Sequence, residues 1–142
     1  MRKTELFRET MGAIIKTARL NKRVMDFKIQ QLGIHHSQHF LLMLLSKQPQ
    51  MPSQSDIAKE LDISPAAVAT TIKKLKQSGY IEKKIATEDE RFHEIGLTEK
   101  GRQVIEQSKE LFRQKDKEIF DGISEEEVTV TCNTVKKLLQ NL

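Results

Sequence analysis

The sequence predicts a mainly α-helical protein with one small β-hairpin. Three observations support this fold class. Apolar residues recur at helical spacing towards both ends of the 142-residue chain, and only six glycines and three prolines interrupt it. Between these ends, residues 80–85 and 93–97 alternate apolar and polar side chains, which is the pattern of paired strands. The length suits one compact domain.

Two helices are predicted in the first third of the chain. Residues 4–31 carry apolar side chains three, four and seven positions apart, which form one face of a long helix that Gly33 can end. Residues 37–46 are apolar on all sides through the middle of the segment. A second helix at this position must therefore be buried on most of its surface.

A short helix is predicted after Ser53. This serine precedes Asp56 by three residues, the spacing at which an N-cap side chain accepts from the backbone. The predicted inward positions are Ile57, Ala58 and Leu61. Residues 62–64 form the following turn. Asp62 occupies the position where glycine is commonest, and it suits that position because Asp is among the few residues that tolerate a positive φ.

The next helix has clear signals at both ends. Ser64 is a suitable N-cap, Pro65 fits the first helical position, and Gly79 can adopt the left-handed conformation that closes a helix. The predicted inward face is Val68, Ile72 and Leu75. The opposite, outward face is Pro65, Ala66, Ala67, Thr70, Lys73, Lys74 and Gln77.

The rest of the chain is predicted to be the hairpin and two further helices. Residues 86–92 form the exposed tip between the two strands, and a long helix covers residues 98–120. Ser124, followed three residues later by Glu127, forms a capping box for a last helix.

The order of short helix, turn, capped helix and hairpin is that of a winged helix-turn-helix unit, here residues 53–101. In such a unit the second helix enters the major groove of DNA. Small residues at its start allow close approach to base edges, and Thr70 and Lys74 are the best candidates for groove contacts. The predicted DNA-binding residues on this helix and the following strand are Ser64, Pro65, Ala66, Ala67, Thr70, Lys73, Lys74 and Lys84. An ordinary solvated helix face would have a similar composition, so the helix alone leaves both interpretations open.

Positive charge is concentrated rather than general. The chain has a formal net charge of +4, but residues 53–100 hold eight basic and nine acidic side chains. Within residues 64–84, in contrast, five lysines face a single glutamate. This local stripe is the pattern that phosphate binding requires.

Residues 89–101, DERFHEIGLTEKG, resemble the wing signature of the MarR family of bacterial transcription regulators. The matching residues are Asp89, Arg91, Leu97, Thr98 and Gly101. The layout of the whole chain is also similar to that family. The resemblance implies that Arg91 enters the minor groove at the wing tip and that Asp89 orients the wing. Glu90, which repels phosphate, stands where many members have a second arginine, so wing binding is expected either to be weaker or to depend on Arg91 alone.

The first and last helices carry more apolar residues than one small winged unit can cover. This favours a two-fold interface, which the resemblance also implies. The predicted organisation is a helical dimerisation region, residues 1–34 and 102–142, around a DNA-binding region, residues 35–101. Such a homodimer would read a palindrome with half-sites one helical turn, roughly 34 Å, apart.

Three histidines, His35, His36 and His39, lie at the start of the second helix. His35 and His39 have i, i+4 spacing and could bind a transition metal with further ligands, but no cysteine or paired carboxylates flank them, so no metal site is predicted. The resemblance implies a pocket for a small phenolic or anionic effector in this region. The three histidines are therefore the candidate effector pocket, with pH sensing and a plain helix start as alternatives.

The leading functional hypothesis is a sequence-specific regulator that binds double-stranded DNA, most often a repressor in the family that the chain resembles, and that a small effector releases. The alternative is a winged-helix architectural or protein-interaction module without effector switching. The sequence has no glycine-rich phosphate loop, Gly-x-Ser-x-Gly or His-Glu-x-x-His motif, so neither enzymatic activity nor a cofactor is predicted.

A cytoplasmic location without a membrane partner is expected. No stretch approaches the roughly 20 apolar residues of a membrane span, and the first residues alternate charged and apolar side chains, unlike a signal peptide. Cys132 is the only cysteine. It excludes an intrachain disulfide, suits a reducing compartment, and is expected to be buried and inert.

Overall fold

The computed structural model describes residues 2–47, 53–85 and 93–142. The elements are α1 (Lys3–Gln31), α2 (His36–Lys47), α3 (Gln54–Leu61), α4 (Pro65–Gln77), β1 (Ile81–Ile85), β2 (His93–Leu97), α5 (Glu99–Ile119) and α6 (Glu125–Asn141). The predicted fold class, mainly helical with one hairpin, is confirmed. The chain divides into two compact units, Met1–Glu110 and Leu111–Leu142, and the predicted domain limits stay a prediction.

The helix-turn-helix pair α3 and α4 has the local geometry that the sequence predicts. The Ser53 hydroxyl accepts from the Asp56 backbone N–H at 3.1 Å, and the Ser64 hydroxyl accepts from that of Ala67 at 3.1 Å. Between the helices Asp62 adopts the left-handed conformation at φ 54°. The chain therefore reverses over three residues with both helix starts capped.

The core of the first unit is built from the apolar faces of several helices. Leu41 and Leu42 of α2, Ile57 of α3, and Val68 and Leu75 of α4 are fully buried. Each such side chain stabilises the fold by about 1.5–3 kcal/mol through removal of apolar surface from water. The strand residue Ile81 and the α5 residues Val104 and Ile105 are also buried. This core holds α4 by its inward face only.

The two strands form an antiparallel pair in a simple register. Ile81 lies opposite Leu97, Lys83 opposite Ile95, and Ile85 opposite His93. The strand limits agree with the predicted ones except that β1 begins at Ile81, one residue late. The predicted tip, residues 86–92, lies outside the described residues.

The second unit contains the end of α5 and all of α6. Ser124 and Glu127 form the predicted capping box: the Ser124 backbone donates to the Glu127 carboxylate at 2.9 Å, and the Glu127 backbone donates to the Ser124 hydroxyl at 3.1 Å. No residue of α6 is buried. Cys132 is exposed, so the prediction of a buried thiol is wrong for the single chain, because the α6 surface on which it lies has no cover there.

In the part of the chain that the structure describes, every helix is too short or too polar to cross a membrane.

Candidate nucleic-acid interface

The outward face of α4 is open to solvent along its length. Val68 and Leu75 are fully buried, while Thr70, Lys73 and Lys74 on the opposite side are exposed. The predicted division of this helix into two faces is thus present in the structure. One inward residue was missed: Thr71 is buried, and its hydroxyl donates to the Ala67 carbonyl at 3.0 Å.

The first turns of this face combine small side chains with hydrogen-bonding capacity. Pro65 and Ala66 are exposed and Ala67 is half-buried, so no large side chain stands in front of the helix start. The Thr70 hydroxyl donates to the Ala66 carbonyl at 3.0 Å, which leaves its oxygen lone pairs to accept from a partner. This surface can approach another molecule closely.

The positive charge of the face is not neutralised locally. Lys73 and Lys74 form no ion pair with any residue that the structure describes. Lys76 is half-buried, and Lys83 on β1 is exposed. Exposed, unpaired cations beside small side chains are the groups that contact a phosphate backbone.

The Leu-Thr-x-x-Gly part of the wing signature ties the base of the hairpin to the end of α4. The Thr98 hydroxyl donates to the Gly79 carbonyl at 2.6 Å and the Thr98 backbone N–H donates to the Tyr80 carbonyl at 3.1 Å. The Gly101 backbone N–H donates to the Thr98 hydroxyl at 3.1 Å. A Cβ at Gly101 would overlap the Tyr80 carbonyl oxygen, so only glycine fits this position without displacement.

Lys100 strengthens the same connection. Its Nζ donates to the Ser78 carbonyl at 2.6 Å and lies 4.5 Å from the centre of the Tyr80 ring. A cation at a helix C-terminus also interacts favourably with the helix dipole. Sequence reasoning missed this lysine, because its partners lie about twenty residues away along the chain.

The remaining DNA-binding predictions concern the wing tip and the neighbouring strand residue Lys84. Asp89 and Arg91 lie outside the described residues. Lys84 pairs with Glu94 in the strand ladder, which places its backbone on β1. The predicted role of these residues in DNA binding stays a prediction.

The three histidines of the candidate effector pocket lie in different environments. His35 is exposed, His36 is half-buried and His39 is buried. Burial lowers the pKa of His39, and burial together with the neighbouring charge of His35 lowers that of His36. Among the described residues no group of three or more histidine, cysteine or carboxylate side chains is arranged to hold a metal ion.

A cleft of about 390 Å³ joins the start of α2 to the outward face of α4. Its polar lining is His35, Ser37, Gln38, Thr70, Thr71 and Lys74. Of the three histidines, only His35 is part of it. The sequence predicted Thr70, Lys74 and His35 as functional but assigned them to different sites, and it gave no signal for Ser37 or Gln38.

Comparisons with known proteins agree with this architecture. Residues 34–93 match the model of the MarR family, which supports the resemblance found in the wing signature. The fold is similar to that of a MarR/EmrR family transcriptional regulator from an Acinetobacter species, at 27% identity and a TM-score of 0.67, over 96% of each chain.

Two further solved structures are similar over nearly their whole length. The chain in a complex of Staphylococcus aureus MepR with DNA is 26% identical, with a TM-score of 0.61, and the match covers 99% of the present chain and 96% of that chain. The YusO protein from Bacillus subtilis has the same fold, with a TM-score of 0.79 at 21% identity over 100% of both chains.

Proposed function

We propose, on the premise that this chain is a MarR-family transcription regulator, that it binds a palindromic operator in double-stranded DNA as a homodimer. The observation that carries the proposal is the outward face of α4. It is largely exposed, small at its start and basic at Lys73 and Lys74, while the opposite face is buried. The similarity to the chain of the MepR–DNA complex supports the same conclusion.

The proposed reading helix is α4. Its start is formed by small residues, Ser64, Pro65, Ala66 and Ala67. They would let the helix approach DNA closely enough for Thr70 to contact base edges or a thymine methyl. Lys73 and Lys74 would neutralise phosphates on the flanks of the groove. In this assignment Thr70 contributes to sequence preference, and the lysines contribute affinity for any duplex.

The proposed second contact is the wing. Arg91 at the hairpin tip would enter the narrow minor groove next to the site of α4, Asp89 would orient the tip, and Lys84 would contact the backbone. The anchoring of the hairpin base by Thr98 and Gly101 supports this role, because it fixes the direction in which the strands leave α4.

The proposal of a homodimer rests on uncovered apolar surface. On α1 the large exposed apolar side chains are Leu6, Phe7, Met11, Ile15, Leu20, Val24 and Phe27. In the second unit they are Ile119, Phe120, Ile123, Val130, Leu139 and Leu142. Soluble monomers seldom expose so many, and a symmetric partner that covers them would also position two α4 helices for a palindrome.

We further propose that the protein acts in the cytoplasm as a transcriptional repressor and that a small effector releases it from its operator. A repressor blocks transcription by occupying its operator, and a small phenolic or anionic ligand near the α2 histidines would change the spacing of the two reading helices. The alternative, an architectural or protein-interaction module, would show neither a defined site nor release by a ligand.

Selection of DNA sites from a random library tests the proposal. A MarR-type dimer should enrich one palindrome, and Arg91→Ala should weaken binding to it by about 1–3 kcal/mol. Lys74→Gln should make the decrease of log affinity with log salt concentration less steep by about 1, because one phosphate contact is lost. The matched control is Lys136→Gln on α6, an exposed lysine outside the proposed DNA contacts. Absence of an enriched palindrome would contradict the proposal.

A further inference from the structure

We propose that the cleft between the start of α2 and the outward face of α4 is a phosphate-binding site that extends DNA contact beyond the winged unit. The inference rests on the proposed DNA-binding function and adds His35 and Ser37 to the interface. The cleft is continuous with the surface of Thr70 and Lys74, which line it from the α4 side. A duplex bound to that surface therefore lies against the mouth of the cleft.

The dimensions of DNA favour a backbone phosphate at this position. The major groove is about 12 Å wide and a helix with its side chains is about 10–12 Å across, so a helix in the groove fills it from wall to wall. An element that packs beside such a helix and borders its exposed face lies near the phosphates of the groove edge. The start of α2 is such an element, because α2 packs on α4 and His35, Ser37 and Gln38 line the shared cleft.

The hydrogen bonds of His35 prepare it to donate to an oxyanion. The Ser37 backbone N–H donates to His35 Nδ1 at 3.3 Å, and the Ser37 hydroxyl lies 2.9 Å from the same nitrogen. An Nδ1 that accepts a hydrogen bond carries a lone pair, so the neutral ring holds its proton on Nε2. The His35 backbone N–H is occupied by Gln38 Oε1 at 2.8 Å, which fixes the residue against the helix start. Nε2–H is the remaining donor.

The charge of the cleft also suits a phosphate. Lys74 supplies a positive charge, the other polar groups that line it are hydroxyl, amide and imidazole, and no carboxylate is present among the lining residues that the structure describes. Lys74 would thus serve both the groove edge and the cleft. His35 thus differs from His39, which is buried and is not among the described residues that line the cleft.

The test compares His35→Ala and Ser37→Ala with the parent protein in fluorescence anisotropy titrations, at about pH 8, on the selected palindrome and on a duplex of random sequence. Each variant should bind both duplexes about 3- to 10-fold more weakly than the parent, which is the effect of one lost hydrogen bond. The ratio of its affinity for the palindrome to its affinity for the random duplex should stay that of the parent. Because a neutral donor releases no counterion, the salt slope should stay that of the parent, unlike Lys74→Gln. Ser46→Ala, an exposed serine at the other end of α2, is the matched control and should bind like the parent.

A second measurement locates the contact on the DNA. Single phosphates flanking the palindrome are replaced, one at a time, by neutral methylphosphonates. At one position per half-site the replacement should weaken DNA binding by the parent protein by a similar factor, while the DNA affinity of His35→Ala should change little. Parent-like affinity of His35→Ala for both duplexes would overturn the inference and leave the proposed function standing. A parent protein that binds neither duplex would instead contradict the proposed function. Binding of 4-hydroxybenzoate to each protein is measured by calorimetry. If the parent binds it, His35→Ala does not, and the DNA affinity of His35→Ala equals that of the parent, the inference is overturned and the cleft is assigned to a small anion.

Discussion

Replacement of Gly101 by alanine tests how the base of the hairpin is fixed to the end of α4. The new Cβ would overlap the Tyr80 carbonyl oxygen and lie 3.3 Å from Leu97 Cδ2. The same carbonyl accepts the Thr98 backbone N–H at 3.1 Å. Either the carbonyl moves and this hydrogen bond is lost, or the start of α5 shifts away from the end of α4.

The size of the effect follows from three contributions. Overpacking against a backbone atom costs about 1–3 kcal/mol, and the lost hydrogen bond costs about 0.5–1.5 kcal/mol. Alanine in place of glycine within a helix returns about 0.5–1 kcal/mol. The net loss in the free energy of unfolding is about 2 kcal/mol, or roughly 4–8 °C in Tm for a chain of this size.

The assay is thermal and urea unfolding followed by circular dichroism, at one fixed protein concentration because the stability of the proposed homodimer would depend on it. Gly12→Ala is the matched control: Gly12 lies within α1 with nothing within 4 Å of its Cβ position. That variant should gain about 0.5–1 kcal/mol from helix propensity alone. A Gly101→Ala protein as stable as the parent would refute the idea that close backbone approach requires this glycine.

Three further predictions concern other parts of the chain. Burial lowers the pKa of His39 in the folded state, so as the pH drops below about 6.5 this histidine is protonated more readily in the unfolded state, and the free energy of unfolding falls. His39→Gln should flatten this decrease in a series of Tm measurements against pH. An unchanged pH dependence would mean that another group causes it. Ser64→Ala removes the cap of α4 and should cost about 0.5–2 kcal/mol in urea unfolding, whereas no loss would mean that the cap is dispensable. Phe7→Asp on the exposed face of α1 should shift sedimentation towards the monomer, and an unaltered dimer would exclude this face from the interface.

Local chemistry explains why the helix starts and the turn between α3 and α4 could be predicted in detail. Ser53, Ser64 and Ser124 cap helices through atoms only three residues away, and Asp62 takes a positive φ through its own short side chain. The two faces of α4 follow from helical periodicity alone. Features that depend on near neighbours in sequence are visible without tertiary structure.

Features that depend on distant contacts could not be predicted in the same way. Gly101 was recognised from a motif, but its physical reason is the carbonyl of Tyr80, twenty-one positions earlier. The histidines look like one cluster in sequence, whereas the turn of α2 directs His35 to a cleft and buries His39. The cleft itself needs α2 and α4 side by side, and no local pattern encodes that packing.

The most direct test of the central claim is whether the α4 face selects a sequence in DNA. Sites enriched from a random library by the parent protein should form one palindrome, with half-sites about one helical turn apart. Thr70→Ala should change the preferred bases in both half-sites, while the Lys136→Gln control on α6 should enrich the parent palindrome. Enrichment of no common site by the parent, or of an identical site by Thr70→Ala with undiminished preference, would contradict the assignment of α4 as the reading helix.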